Sequence, residues 1–133
     1  MFEEKELNIE EVINNETILK ETLIKELKSN GIKFTEENII KIMKNSDGKI
    51  IFLETGNEKA GYLHILEHKN GFMRQGIPKD DIIGLIFQAL DENKIVGFQG
   101  RGRPIYECNY KGVIRRVAIT VSNNGFIVGA NPN

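Results

Sequence analysis

Apolar and polar positions follow two different periods along this chain, and the change of period divides it. From Ile9 to Lys28 the apolar residues are Ile9, Val12, Ile13, Ile18, Leu19, Leu23, Ile24 and Leu27. From Ile18 onward their spacing is that of an amphipathic helix, and Asn30-Gly31 is a signal that ends it. Thr35 reads as the N-cap of a second, short helix. Asn38 stands at its third position, and Ile39, Ile40, Ile42 and Met43 supply its apolar residues. Asp47-Gly48 marks a turn. KIIFLE, Lys49 to Glu54, is short, apolar and bounded by glycines, which predicts a strand. Ala60 to Lys69 reads as a helix. Pro78-Lys79-Asp80-Asp81 reads as the first turn of another, with proline at its start and acids near the positive end of the dipole. That helix runs through Ile82, Ile83, Leu85, Ile86, Ala89 and Leu90 and ends at Asn93.

The last forty residues read as a meander. Ile95 to Gln99 predicts a strand, followed by a glycine and arginine loop, then a strand over Ile105 to Tyr110. Lys111-Gly112 is a tight turn, Val113 to Ser122 a long strand, and Asn124-Gly125 the strongest hairpin signal, since both residues tolerate positive φ. Phe126 to Gly129 returns. Helices first and an antiparallel sheet afterwards define an α+β class.

Composition adds limits. The 133 residues suit one domain with a helical prefix over 1–30. A single cysteine, Cys108, excludes an internal disulfide. No apolar run is long enough to span a membrane, and the acidic start MFEEKELNIEE argues against a signal peptide. The net charge of −1 hides a gradient: residues 94–133 carry six basic side chains and one acidic, while residues 1–48 carry seven and eleven. Such a basic C-terminal third suits an anionic ligand on one face; chance clustering of solvated charges explains it equally well.

Candidate chemistry lies in three places. On the long strand, Val113, Val117, Ile119 and Val121 share one side, with Arg115 as the exception. Arg116, Ala118, Thr120 and Ser122 share the other. That second face is either plain solvent-exposed sheet or the floor of a cleft, with hydroxyls to bind a ligand. His64 and His68, the only histidines, stand four apart and share a helix face. The string HILEH is not HExxH and no third ligand presents itself, so zinc is the weaker reading and proton transfer the stronger. A surface pair on an amphipathic helix is the plain alternative. In GFQGRGRPIYE, Gly97 to Glu107, no helix follows the glycines, so this is no dinucleotide fingerprint, and no Gly-Lys-Ser/Thr makes it a Walker loop. Arg101 and Arg103 on flexible backbone suit phosphate; a hairpin loop with solubilising arginines is the bland version. Tyr106 and Tyr110 would share a strand face and stack on bases. Cys108, between them, reads as a small buried residue rather than a nucleophile.

Four segments, GNEKAGYLHILEH, GIPKDDI, KIVGFQGRGRPIYE and RRVAITVSNNGFIVGANP, occur in that order. Together they resemble the nuclease toxin modules of the barnase–EndoU–colicin–RelE superfamily, found in bacterial polymorphic and contact-dependent growth-inhibition toxins and in some phage proteins. The resemblance covers roughly Gly31 to Pro132 and is most specific from Lys94 onward. It makes 31–133 the nuclease domain, with helices packed on a curved antiparallel sheet. It implies a ribonuclease that needs neither metal nor cofactor and acts on tRNA or other structured RNA. Attack by the ribose 2′-hydroxyl on phosphorus would leave a 2′,3′-cyclic phosphate. The expected setting is a toxin delivered into the bacterial cytoplasm and neutralised by a cognate immunity protein. The resemblance assigns catalysis to His64 in "HI-x-E", Arg103 in GRPIYE and Thr120 in AIT. Substrate contacts fall to Arg101, Tyr106, Arg116, Ser122, Asn124, His68 and Lys69. One feature departs from the pattern: Arg then His usually follow the Glu, whereas here His68 and then Lys69 do. A non-catalytic RNA- or protein-binding module on the same scaffold is the alternative.

Overall fold

The computed structural model describes residues 9–133, so the acidic start at 1–8 lies outside the described residues. The chain divides between Phe34 and Thr35 into two compact units. The first contains α1, Ile9–Ser29. Its end is built as a Schellman motif: Ile32 N–H donates to Leu27 O (3.0 Å) and Gly31 N–H to Lys28 O (3.1 Å). Gly31 takes φ +70°, which a residue with a Cβ adopts reluctantly. Asn30-Gly31 therefore ends the helix as the sequence predicts.

The second unit opens with a correction. The short helix expected after Thr35 is only a 3₁₀ turn over Glu36–Asn38, and Thr35 makes no side-chain cap bond to it. Ile39–Lys44 is instead a strand, β1, paired antiparallel with β2, Ile50–Glu54. Three isoleucines in four positions favour extended backbone, and the turn between the strands sets the pairing. Asn45 Oδ1 accepts from Asp47 N–H (3.0 Å) and Lys49 N–H (2.9 Å), closing the hairpin. The helix expected over Ala60–Lys69 is broken into α2 (Tyr62–Ile65), a 3₁₀ turn (Leu66–His68) and α3 (Lys69–Arg74). α4, Ile82–Glu92, follows a 3₁₀ turn at Lys79–Asp81 and stops where Asn93 turns left-handed.

Four strands complete the unit in the order β3 (Ile95–Gln99), β4 (Arg103–Tyr110), β5 (Val113–Val121) and β6 (Ile127–Pro132), all antiparallel. The class is thus mixed α+β, with one four-stranded and one two-stranded antiparallel sheet. Among the described residues, no helix is long and apolar enough to cross a membrane.

α4 packs on β4 and β5 and fills the core from one sheet face. Ile82, Leu85, Ile86, Ala89 and Leu90 of α4 meet Val117, Ile119 and Ile127 of the sheet, with Ile65 and Phe72 from α2 and α3. Each large side chain buried this way stabilises by about 1.5–3 kcal/mol relative to exposure. Gly84 leaves room for the Tyr110 ring, whose Oη lies 2.7 Å from where a Cβ would stand.

The β5–β6 turn differs from expectation in one respect. Gly125 has φ +94°, but Asn124 is not in the positive-φ region. Gly125 N–H bonds Ser122 O (2.9 Å), a four-residue turn with one left-handed residue after it rather than a two-residue turn with two. Gly125 has a second task. Its carbonyl accepts from Phe52 N–H (2.9 Å), joining the hairpin tip to β2. A Cβ at Gly125 would lie 2.1 Å from Ile50 O, so the strand can approach only a glycine.

Candidate active site

Strand alternation sorts the four-stranded sheet into two faces. Val117 and Ile119 of β5 point into the core, as the period-2 pattern predicts. The face away from α4 is set by register: Gln99 opposite Arg103, Ile105 opposite Ala118, Ala118 opposite Asn131, and Thr120 opposite Gly129. Its floor at Ala118 and Gly129 is low because those side chains are small or absent.

Arg103 opens β4. Its Nε donates to Thr120 Oγ1 at 2.8 Å, and no carboxylate pairs with it among the described ion pairs. Asn131 lies beside it. One orientation of the Asn131 amide satisfies both its ends: the nitrogen donates to His68 Nε2 (2.9 Å) and Ala130 O (3.1 Å), while the oxygen accepts from an Arg103 terminal nitrogen. The Gln99 amide lies 3.2 Å from that of Asn131.

The histidines enter from α2 and the 3₁₀ turn after it, which flank β6. His64 Nδ1 is 2.8 Å from Glu58 O and 3.4 Å from a Glu67 carboxylate oxygen. The carbonyl can only accept, so Nδ1 carries a proton in that bond, and Nε2 of the neutral ring is left with its lone pair. The Cδ2–Nε2 edge lies over β6: a Cβ on Gly129 would be 3.1 Å from Cδ2 and 3.5 Å from Nε2. Thr120 is Gly129's cross-strand partner, and paired Cβ positions are about 5 Å apart. The His64 ring edge therefore lies over β6 at the position whose cross-strand partner on β5 is Thr120. The His64 and His68 rings meet edge-on, with centroids 6.2 Å apart.

Residues 39 positions apart, His64 and Arg103, are thus linked through His68 and Asn131. Gln99, Arg103, Thr120, Asn131, His64 and His68 are all half-buried. Beside Arg103, a cleft of about 590 Å³ opens between the β3–β4 loop and the end of β5. Lys49, Arg101 and Arg103 line it, no carboxylate does, and Pro104, Tyr106 and Val121 form apolar wall. The histidines and Asn131 border Arg103 from the β6 side and do not line this cleft.

Other expected site residues are placed elsewhere. Arg116 shares the face of Thr120 but lies four residues along the strand, about 13 Å away by strand rise. Its Nε bonds Glu107 Oε2 (3.0 Å), and Lys94 takes the other oxygen (3.0 Å). These two cations hold the Glu107 carboxyl below its ordinary range, Lys94 contributing most. Ser122 and Asn124 build the β5–β6 turn: their side chains bond each other, and Ser122 Oγ accepts from Phe126 N–H (3.2 Å). Lys69 is exposed at the start of α3. Tyr106 and Tyr110 do share a strand face, but it is the core face. Tyr106 is 8% exposed and burial raises its phenol's pKa, so it offers the cleft an edge rather than a stacking platform. Cys108 is buried, and desolvation pushes its thiol up to about 11. That reserves the thiolate for strongly alkaline conditions and fits a packing role. Among the described residues, no group of three or more His, Cys, Asp or Glu side chains converges as a metal site would require.

Three residues of this region were missed in the sequence. Asn131 had a usable signal: carrying the β6 alternation two residues past Gly129 puts it on the Thr120 face. Gln99 and Lys49 had none, because only register and the hairpin's placement bring them here. In comparisons with protein-family models and with curated proteins, the chain matches none.

Proposed function

We propose that this chain is a ribonuclease that cleaves RNA by 2′-hydroxyl transesterification, on a fold of the barnase–EndoU–colicin–RelE type. The observation that carries the reading is the convergence on one sheet face of Arg103, Thr120 and two histidines: Asn131 hydrogen-bonds both Arg103 and His68, Arg103 bonds Thr120, and the His64 ring meets that of His68 edge-on. Phosphoryl transfer of this kind needs a base near neutrality and fixed donors for charge that develops on phosphorus.

The roles follow from the atoms left available. His64 Nε2 takes the 2′-hydroxyl proton; the 2′-oxygen attacks phosphorus, the bond to the 5′-oxygen breaks, and that oxygen takes up a proton from solvent. The products are a 2′,3′-cyclic phosphate and a 5′-hydroxyl end. Arg103 faces the phosphorane oxygens, with Thr120 fixing its guanidinium and offering a hydroxyl of its own. His68 supports Asn131, which supports Arg103. No step draws on a metal or a cofactor. Structured RNA, with tRNA foremost, is the proposed substrate, because a chain of net charge −1 with one small basic region suits few phosphate contacts. The biological setting proposed is a toxin delivered to the bacterial cytoplasm and held by an immunity protein that covers the basic face.

The test is incubation of the purified chain with total tRNA in EDTA, resolved on a denaturing gel, beside His64→Ala and Arg103→Ala. Discrete fragments ending in cyclic phosphate, lost in both variants, are expected. Intact RNA across a range of substrates, with the protein folded, would remove the enzyme reading and leave a binding module.

A further inference from the structure

We infer that the cleft beside Arg103 seats the nucleotide next to the scissile phosphate, with Lys49 holding that neighbour's phosphate. This rests on the reading of the site above and deepens it, since it makes the substrate a polynucleotide rather than a single nucleotide.

Three features of the cleft point there. Its cations come from separate elements: Lys49 from the end of the β1–β2 turn, Arg101 from the β3–β4 loop, and Arg103 from the first position of β4. No carboxylate lines it, so the three charges are not neutralised locally and the cleft is an anion site. Its volume, about 590 Å³, falls within the range of pockets that enclose small organic ligands.

The apolar wall separates a nucleotide from a bare anion. Pro104, Tyr106 and Val121 present carbon surface beside the cations, as a base with its phosphate requires. Arg103 joins the two regions. Its Nε and one terminal nitrogen are committed to Thr120 and Asn131 on the sheet face, while the same side chain lines the cleft. A chain of phosphates passing Arg103 therefore continues into the cleft toward Lys49. Lys49 is exposed, and its Nζ makes one long contact, 3.4 Å, to Ser122 O. That weak bond is readily exchanged for a phosphate oxygen.

The experiment uses the full chain and two fluorescent ligands: a 2′-deoxy tetranucleotide, which offers no 2′-hydroxyl to cleave, and the corresponding mononucleotide 5′-phosphate. Anisotropy titrations at several salt concentrations give the affinities. Wild type is expected to bind the tetranucleotide more tightly. Lys49→Ala should lose about 5-fold of that affinity, the effect of one exposed ion pair near 1 kcal/mol. Its log–log salt slope should fall by about 0.7. Lys49→Glu should remove the tetranucleotide's advantage altogether. Unchanged affinity and slope in Lys49→Ala would overturn the inference. So would binding of poly-glutamate in place of the tetranucleotide, which would assign the cleft to an acidic protein segment. The two readings fail separately. Tetranucleotide binding without RNA cleavage removes the ribonuclease and keeps the cleft, whereas RNA cleavage with Lys49→Ala indistinguishable from wild type does the reverse.

Discussion

Gly129→Ala separates folding from chemistry more sharply than any loss of a catalytic group. Gly129 is fully packed within β6 and is not among the residues with positive φ, so its backbone accepts alanine. The new methyl meets only the His64 ring within 4 Å, 3.1 Å from Cδ2 and 3.5 Å from Nε2. Comfortable carbon contacts begin near 3.5 Å, so the ring must withdraw by roughly 0.4 Å. His64 stands on a single helical turn with its side chain 29% exposed, so withdrawal is cheap. Replacing glycine also removes about 0.4–1 kcal/mol of unfolded-state freedom. The two effects nearly cancel, and stability should change by less than about 1 kcal/mol, within about 4–8 °C of Tm for a unit this size.

Activity should respond differently. A misplacement of 1 Å at a reacting group can lower rates by about 100-fold. Scaled to 0.4 Å, the loss is roughly 6-fold, borne by kcat rather than by RNA affinity. Initial rates on end-labelled tRNA in EDTA, beside thermal melts of the same samples, test both halves. Wild-type kcat with an unchanged melt would refute the placement of His64 Nε2 at the reacting atoms. A collapse of Tm far beyond the stated window would refute the premise that the ring absorbs the contact.

Gly125→Ala should instead unfold the protein at lower urea, by about 2–4 kcal/mol, because its methyl would strike Ile50 O and its φ of +94° disfavours a Cβ; a midpoint equal to wild type would deny the β2 junction any importance. Glu107→Gln tests a pH dependence whose sign is set by the depressed carboxyl: the ion pairs with Lys94 and Arg116 stabilise above the ordinary value of 4.5 and are lost as pH falls through the lower folded value. Wild type should therefore exceed the variant in urea midpoint near pH 7 and converge on it near pH 3, and a constant gap would contradict this. His68→Ala should slow cleavage by about 5-fold, the effect of one hydrogen bond near 1 kcal/mol, and His68→Gln, which keeps an acceptor for Asn131, should recover most of it. A loss as deep as that of His64→Ala would make His68 a second catalytic group.

What the sequence disclosed and what it concealed divide along the range of the interaction. α4 was legible because its signals are local: Pro78 and the acids Asp80 and Asp81 in the 3₁₀ turn that leads into it, and Asn93 after it. The two faces of β5 were legible for the same reason, since period 2 needs no partner strand. β1 was not, because Ile39, Ile40, Ile42 and Met43 fit a short helix as well as a strand, and only pairing with β2 decides. Arg116 and Thr120 look alike in the pattern, both on the outer face of one strand. Register alone places Glu107 opposite Arg116 and so ties that arginine in an ion pair. The cluster of His64, His68, Arg103 and Asn131 joins elements far apart in the chain, and no spacing rule reaches that distance.

The loop GRGR now has two arginines with different mechanical situations, and the proposed chemistry needs both. Arg103 is the first residue of β4, held by Thr120 on one side and Asn131 on the other. A guanidinium fixed before substrate arrives loses little freedom on binding and needs no reorganisation when charge grows on phosphorus. Arg101, two residues earlier, is exposed between Gly100 and Gly102, on backbone that both glycines bend into positive φ. A cation there adds attraction without fixing position, which suits a flanking phosphate whose charge does not change during the reaction. The point of transition from loop to strand thus separates the two tasks. Moving Arg103's charge one residue on, to position 104, would turn it away from the face where Thr120 and Asn131 hold it and onto the apolar wall of the cleft, so the cation would lose the fixed position that the chemistry needs.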